Sequence, residues 1–303
     1  MSDFRVFASC HNHSVFSDAD ITPEHLARMA KCMGHGGIIL TDHDTVKGYR
    51  RMKEACDKYG LLTMIGCEFD SAENMKSGLR KGCHLLGFDF DPEYPEMKKM
   101  LDDAASCTTN KVKILFEWGL ERGSLRPGLS WEDIIEDHPE NDYISNNTIF
   151  DSYMKRGIYC FSEYDDLFFK PNFSFSLPFM KDAEKIVGRS TYDLSTRHAI
   201  DVIKRAGGVP VLAHPSAELP YTEEYIEMGV MGFETRHSML TPEMHRYFED
   251  ICDRHGLYKM GGADHENVLG GYLSFDDPAY MSDYEMSGID KEAFMTIYER
   301  RLG

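Results

Sequence analysis

The sequence predicts an α/β fold built on a parallel sheet with crossover helices. Three short apolar segments, at 4–8, 38–40 and 61–67, are typical of buried strands. Polar residues with chemically active side chains follow each of them, and helical patterns separate one segment from the next. In such folds the functional side chains gather at the carboxyl ends of the strands. We therefore expect these polar residues to share one rim of the sheet.

The first strand leads into the segment Cys10-His11-Asn12-His13, and Asp18 follows five residues after the second histidine. Because side chains alternate along an extended chain, His11 and His13 should project from the same face. A loop leaving the strand could fold Asp18 back over them. This spacing alone is a weak signal for a metal site, and the alternative is a pair of ordinary polar histidines.

The next elements follow in order. Thr22 as N-cap and Pro23 at the first helical position predict a helix that continues through Ala30. The strand at 38–40 ends in Thr41-Asp42-His43-Asp44, and a helix over 46–59 comes after it. The strand at 61–67 ends at Glu68, and a further strand at 82–88 contains His84.

The alternation of predicted strands and helices stops between residues 92 and 188. We predict helices at 97–107, 111–122 and 146–156, and another that begins through a capping box at Ser130. An aromatic-rich loop spans 159–179. We interpret this region as a helical insertion that covers the strand ends. The alternative is a separate domain with no part in the site.

The alternation resumes after the insertion. A helix from Ser195 ends at Gly207-Gly208, and the strand at 209–213 leads to His214. The strand at 230–234 ends in Thr235-Arg236-His237, and after a helix at 242–255 the strand at 257–263 ends in Asp264-His265-Glu266. A last helix is expected near 291–301.

Composition narrows the class of protein. A chain of 303 residues with 42% hydrophobic content can bury a large core. No apolar run approaches the roughly 18 residues of a membrane-spanning helix, and the start lacks signal-peptide architecture, so we expect a cytoplasmic protein with no membrane contact. The net charge of −18 argues against a nucleic-acid groove. Bound divalent ions could supply the positive centre that an acidic protein needs to hold phosphate.

The strand ends together carry a metal-ligand set. Its members are imidazoles and carboxylates, a mixture that suits zinc, iron or manganese better than calcium or magnesium. They are His11, His13, His43, Glu68, His84, His214 and Asp264. Since each ion takes about three or four protein ligands, this number implies more than one ion. A carboxylate such as Glu68 is the natural bridge between two ions.

The sequence resembles the PHP (polymerase and histidinol phosphatase) family of metal-dependent phosphoesterases over nearly its whole length. His11-Asn12-His13 with Asp18 is similar to the first family motif, 41–44 to the second and 66–68 to the third, while 206–215 and 261–264 resemble the late motifs. The resemblance implies a distorted (β/α)7 barrel at 1–91 and 189–303, with two or three divalent ions (manganese, iron or zinc) at the C-terminal rim. The helical insertion at 92–188 would lie over that rim.

The resemblance also implies a division of the ligands. His11, His13, Glu68 and Asp264 would hold one ion, and Glu68, His84 and His214 a second. A third site would use Asp18, His43 and a histidine two residues after Asp264. This chain has Glu266 at that position and His265 one residue earlier, so either side chain could complete the site.

The implied reaction is metal-assisted hydrolysis of a phosphoester. Glu68 would be essential as the bridging ligand, Arg236 could bind a phosphate and His237 could protonate the leaving group. The alternative for the last two is a surface arginine and a capped histidine. The net negative charge and a covered rim favour a small phosphorylated metabolite as substrate, and they disfavour any nucleic acid longer than a short oligonucleotide. The sequence predicts no oligomeric state.

Within the family we favour a cyclic phosphodiester of ribose 5-phosphate (phosphoribosyl 1,2-cyclic phosphate), opened and then dephosphorylated. One reason is that residues 144–148 read Ile-Ser-Asn-Asn-Thr where the nucleotide-phosphatase branch carries an Arg-Pro-His type segment. The alternatives are a nucleotide 3′-phosphatase or short-oligonucleotide 5′–3′ exonuclease of the same family, and a binding or regulatory module without catalysis.

Overall fold

A computed structural model describes residues 5–164, 167, 177–264 and 287–302. The strands, in chain order, are β1 (Ala8–Ser9), β2 (Gly37–Ile38), β3 (Gly66–Asn74), β4 (Arg80–Phe88), β5 (Val209–Leu212), β6 (Gly232–His237) and β7 (Tyr258–Gly262). The helices are α1 (Pro23–Cys32), α2 (Tyr49–Tyr59), α3 (Pro95–Glu121), α4 (Trp131–Asp137), α5 (Asn146–Lys155), α6 (Leu177–Val187), α7 (Thr196–Arg205), α8 (Thr222–Met228), α9 (Pro242–His255) and α10 (Lys291–Tyr298).

Local signals account for most helix ends. The Thr22 side chain accepts a hydrogen bond from the backbone N–H of His25, and Pro23 occupies the first turn of α1, as predicted. Gly60, with φ of 68°, ends α2 in the left-handed conformation that glycine adopts without a steric penalty. The insertion differs from the prediction, because α3 is one helix of 27 residues rather than two. Thr108 lies buried at the predicted break, so packing overrides its weaker helix propensity.

The sheet is mixed, and the prediction of an all-parallel sheet was wrong. β3 and β4 form a nine-residue antiparallel hairpin, β4 pairs antiparallel with β5, and only β5, β6 and β7 run parallel. The reason lies in the connection. Only residues 75–79 separate β3 from β4, too few for the crossover that a parallel pair requires.

The described strands form a two-stranded and a five-stranded sheet, and they do not close into the expected (β/α)7 barrel. Backbone hydrogen bonds outside the strands link neighbouring segments. For example, Cys10 N–H donates to the Gly261 carbonyl at 3.0 Å, and Ile38 N–H donates to the Leu62 carbonyl at 3.0 Å. β1 and β2 are each two residues long. The fold is therefore α/β, without continuous barrel closure in the described residues.

The hydrophobic residues pack in several clusters. One fills the space between the large sheet and helices α7 and α9, and includes Phe69, Leu85, Leu212 and Phe233. A different cluster lies entirely within 112–183 and is built on residues such as Phe150. A core of its own is what an inserted subdomain would need. None of the described helices is long and apolar enough to cross a membrane.

Candidate metal centre

The segment after β1 presents two histidines to one side. Between them, the Asn12 side-chain amide donates to the carbonyls of Ser9 at 3.1 Å and Ile39 at 2.8 Å, which holds the segment against β2. His11 and His13 are both fully buried, and their ring centroids lie 5.2 Å apart. The alternation expected from the sequence thus brings the two imidazoles together.

Glu68 lies at the centre of the site. Its buried carboxylate is 3.0–3.3 Å from a nitrogen atom of five imidazoles. These belong to His11, His13, His43, His84 and His214. A single acidic group therefore contacts imidazoles from four separate segments of the chain.

The structure brings together two of the predicted ligand groups in full, and Asp18 and His43 of the third. His11, His13, Glu68 and Asp264 form one group of converging ligand atoms, in which Asp264 Oδ1 lies 3.0 Å from His13 Nε2. A second group consists of Glu68, His84 and His214, and a third of His13, Asp18 and His43. Asp18 lies 3.6 and 3.7 Å from the nearer nitrogens of His13 and His43. His265 and Glu266 lie outside the described residues.

Two of the predicted ligands, His214 and Asp264, have strained backbones. His214, with φ of 26°, and Asp264, with φ of 49°, lie in the left-handed region that residues other than glycine seldom adopt. Each is held by a specific hydrogen bond. His214 N–H donates to Glu234 Oε2 at 2.7 Å, and Asp264 N–H donates to the His11 carbonyl at 2.9 Å.

Two buried carboxylates that the sequence analysis did not assign stand behind the histidines. Glu234 Oε2 accepts a hydrogen bond from His11 Nδ1 at 3.1 Å. Asp70 Oδ1 lies 3.4 Å from His43 Nδ1 and 3.3 Å from His84 Nε2. Strand alternation could have indicated Asp70, because it is two residues after Glu68 and faces the same side.

Arg236 and His237 point in different directions. A β-bulge shifts the pairing of β6 with β7 between Glu234 and Arg236. His237 consequently faces the site, with Nε2 3.4 Å from Asp264 Oδ2, while Arg236 forms an ion pair of 2.8 Å with Glu249 of α9. Of the two residues predicted to contact substrate, the structure brings only His237 to the ligand groups.

Comparison with known proteins identifies the family. The profile of the PHP domain matches residues 9–167, just over half of the chain. The chain belongs to the PHP domain family. It is therefore a metal-dependent phosphoesterase, a hydrolase.

The PHP-family relatives fall into two groups by coverage. Phosphoribosyl 1,2-cyclic phosphate 1,2-diphosphodiesterase of Eggerthella lenta is 24% identical over 290 residues, covering 89% of this chain and 98% of that protein. The 3′,5′-nucleoside bisphosphate phosphatase of Chromobacterium violaceum is 23% identical, covering 84% and 85%. Shorter matches span 31% of a 5′-3′ exoribonuclease of Haemophilus influenzae and 9% of an error-prone DNA polymerase of Cutibacterium acnes.

A solved structure supports the fold of this PHP chain from end to end. The structure of a candidate metal-dependent phosphoesterase from Bifidobacterium adolescentis superposes with a TM-score of 0.67 and covers 97% of this chain and 96% of its own. Sequence identity is 23%, so this similarity concerns the fold alone.

In this PHP site the imidazoles and carboxylates perturb each other strongly. Burial lowers the pKa of His11, but Asp264 and Glu68 outweigh it and raise that pKa well above its ordinary value. Burial also lowers the pKa of His84, but Glu68 outweighs burial and raises that pKa to about 9. Burial raises the pKa of Glu68, but His11 and His43 bring it well below the usual range. Without an ion, the positive charge of protonated imidazoles balances the negative charge of the carboxylates. A divalent ion could take the place of those protons.

The side chains fit divalent ions. In the described part of the chain, buried ligand atoms without a hydrogen-bond partner include His11 Nε2, His43 Nδ1, Glu68 Oε2, Asp70 Oδ1 and His237 Nε2. An unpaired buried polar atom costs about 1–3 kcal/mol, so several at one place require a compensating partner. Nitrogen and oxygen donors in this mixture suit zinc, iron or manganese.

Proposed function

We propose that this phosphoesterase hydrolyses a small phosphorylated metabolite, and specifically opens and dephosphorylates a cyclic phosphodiester of ribose 5-phosphate. The observation that carries the proposal is the sharing of Glu68 between two ligand groups, one with His11, His13 and Asp264 and one with His84 and His214. Two adjacent cations around one carboxylate are suited to bind the oxygens of a phosphoryl group.

The proposed ligand assignment follows these groups. His11, His13, Glu68 and Asp264 hold one ion, and Glu68, His84 and His214 a second. Asp18 and His43 begin a third site, which His265 or Glu266 completes. When bound, such ions lower the pKa of water from about 15.7 towards 7 and neutralise charge on phosphoryl oxygens.

We propose that His237 assists the leaving oxygen as a hydrogen-bond donor. Its Nδ1 accepts a hydrogen bond from the Met239 backbone N–H at 3.1 Å, so the N–H of the ring is on Nε2. That atom faces Asp264 and the first ligand group. Arg236 can contact a substrate phosphate only after leaving Glu249, so we assign the phosphate first to the ions.

The insertion supports a small substrate. Its Asn141 side chain donates to the Val15 carbonyl at 2.7 Å, and its Asp142 accepts from the Thr45 hydroxyl at 2.6 Å. It therefore rests on the loops that carry His13 and His43. Near His84, the Tyr192 hydroxyl lies 3.4 Å from Nε2 of that histidine. A rim bounded by these groups, in a chain of net charge −18, disfavours a long polyanion.

The choice of substrate rests on coverage and on one segment. The cyclic phosphate diesterase matches along 98% of its length, whereas the exoribonuclease matches along 31%. The bisphosphate phosphatase, at 85%, supports a nucleoside bisphosphate as the second candidate. Against it, residues 144–148 contain neutral side chains, and Ser145 and Thr148 serve to cap α5.

Phosphate release in the presence of manganese tests the proposal. The panel contains ribose 1,2-cyclic phosphate 5-phosphate, a nucleoside 3′,5′-bisphosphate, AMP, histidinol phosphate and a short RNA, with Glu68→Gln as the inactive control. Turnover of the cyclic ester in two separable steps is expected. Turnover of only the bisphosphate or RNA would refute the substrate, and metal binding without any turnover would favour a binding module.

A further inference from the structure

Asp70 faces the metal centre from the middle of the β3/β4 hairpin. It lies two residues after Glu68 on β3, and it stands directly opposite His84 on β4 in the strand register. Residues two apart on a strand project from the same face. Asp70 is buried, and its Oδ1 makes no hydrogen bond to any residue that the structure describes.

Two histidines turn one nitrogen inward and the other towards Asp70. His84 Nδ1 lies 3.0 Å from Glu68 Oε1 and 3.2 Å from His214 Nε2, whereas its Nε2 lies 3.3 Å from Asp70 Oδ1. His43 Nε2 lies 3.3 Å from Glu68 Oε2, whereas its Nδ1 lies 3.4 Å from the same Asp70 oxygen. The outer nitrogens of both rings therefore converge on one atom.

A histidine that binds an ion through one nitrogen carries a proton on the other. That N–H needs an acceptor, and a carboxylate there fixes the tautomer and the orientation of the ring. Glu234 meets this need for His11 Nδ1, at 3.1 Å. Asp70 Oδ1 has two lone pairs and can serve two rings. A small rotation of each imidazole would shorten its distance of 3.3–3.4 Å to that of a good hydrogen bond.

We infer that Asp70 is a positioning residue that orients His43 and His84 together and thereby couples the two ion sites to which these histidines belong. The inference rests on the ligand groups of the proposed function. An ion that binds His84 directs its outer N–H at Asp70 and holds that carboxylate in place. His43 then meets a preorganised acceptor, so filling one site strengthens binding at the other.

The test is metal binding rather than turnover. Asp70→Asn, Asp70→Ala and the unaltered chain are equilibrated with graded free Mn²⁺, and bound metal is counted by mass spectrometry. Co²⁺ absorption reports the ligand environment of each ion. Glu73→Gln is the matched control, since Glu73 lies on the same strand, loses the same charge and contacts the Ser195 hydroxyl at 2.8 Å instead of a histidine.

Asp70→Ala should weaken the ions held by His43 and by His84 by about 10–100-fold each and abolish the cooperativity between them. Asp70→Asn should recover part of the loss, because its carbonyl oxygen still accepts a hydrogen bond. Glu73→Gln should leave the binding curve unchanged.

Three results would overturn the inference. The loss of one whole ion with the other affinities unchanged would make Asp70 a direct ligand, a possibility raised by its grouping with His43 and His84. Unchanged binding in Asp70→Ala would deny it any role. An unaltered chain that binds no divalent ion would refute the proposed metal centre, and the inference with it.

Discussion

Replacement of Glu68 by glutamine removes one negative charge from the centre of the site at nearly constant volume. Glu68 is buried, and it contacts imidazoles of both proposed ion groups at 3.0–3.3 Å. The glutamine amide offers a neutral oxygen to one group and an N–H, which cannot ligate, to the other. We therefore expect both ions to bind more weakly, rather than one.

The magnitude follows from the number of ligands. Four-ligand protein sites bind zinc with roughly 10–16 kcal/mol, so one ligand accounts for roughly 3–4 kcal/mol. Since about 1.4 kcal/mol corresponds to a factor of ten, each ion should lose about 10²–10³ in affinity. At micromolar manganese the site would be largely empty, and phosphate release should fall by about 10³ or more.

The assay measures metal content and phosphate release on the same preparations of Glu68→Gln, Glu73→Gln and the unaltered chain. Thermal melting of the metal-free proteins establishes that each variant folds. Retention of both ions within about tenfold of the original affinities would refute the role of Glu68 as a shared ligand, whatever happened to turnover. Loss of a single ion would restrict Glu68 to one site.

Four further predictions concern the surrounding residues. Since the pKa of His84 is raised to about 9, its proton is bound at pH 7 in the metal-free protein and an incoming ion must displace it. Metal affinity should therefore rise with pH up to about 9, and calorimetry in buffers of different ionisation enthalpy should detect the released proton. His237→Asn should lower kcat by about 10² or more with metal content unchanged, and by less for a p-nitrophenyl ester, whose leaving group needs no proton. The Tyr192 hydroxyl lies at the rim, 3.4 Å from His84 Nε2, and we expect it to donate to a substrate oxygen, so Tyr192→Phe should raise KM by roughly 2–10-fold, the value of one hydrogen bond, at constant metal content. Glu266→His should leave metal content unchanged if His265 is the third-site ligand, and alter it if Glu266 is.

The same linkage sets the pH dependence of the metal-free fold. The ordinary pKa of a histidine is 6.5, and that of His84 in the folded chain is about 9. Its ionic contacts with Glu68 and Asp70 therefore stabilise the metal-free fold fully below pH 6.5 and progressively less as the pH rises to 9. Bound ions reverse the sign of this dependence, because the loaded His84 has lost a proton that the unfolded chain still binds below pH 6.5.

Local patterns indicated the imidazoles that the structure brings around Glu68, but they did not indicate Asp70 or Glu234. His11 and His13 share a face because the extended chain alternates, and Glu68 reaches the same place as the apolar segment before it enters the sheet. Strand direction was not predictable in this way. His84 was expected at a strand end, yet it lies within β4, which runs antiparallel to β3. The five-residue connection at 75–79 was the available signal for a hairpin.

The orientation of neighbouring side chains depended on contacts between distant parts of the chain. Simple alternation along β6 places Glu234 and Arg236 on one face and His237 on the other. The bulge reverses this after Glu234, because Arg236 pairs with Gly261 of β7, where a Cβ atom would lie only 2.4 Å from the Arg236 carbonyl oxygen. The absence of a side chain on a different strand thus decides that His237, and not Arg236, faces the ions.

The carboxylates that orient the histidines also depend on contacts between distant parts of the chain. Residue type and spacing indicate ligands, since imidazoles and carboxylates at strand ends are uncommon without a function. Orientation of those ligands requires a second set of acidic groups behind them, and Glu234 acts on His11 from 223 residues away. It also accepts the backbone N–H of His214, so one buried carboxylate both orients an imidazole and holds a strained backbone. A pattern along the chain cannot encode that contact, because its geometry exists only once β1, β5 and β6 have assembled.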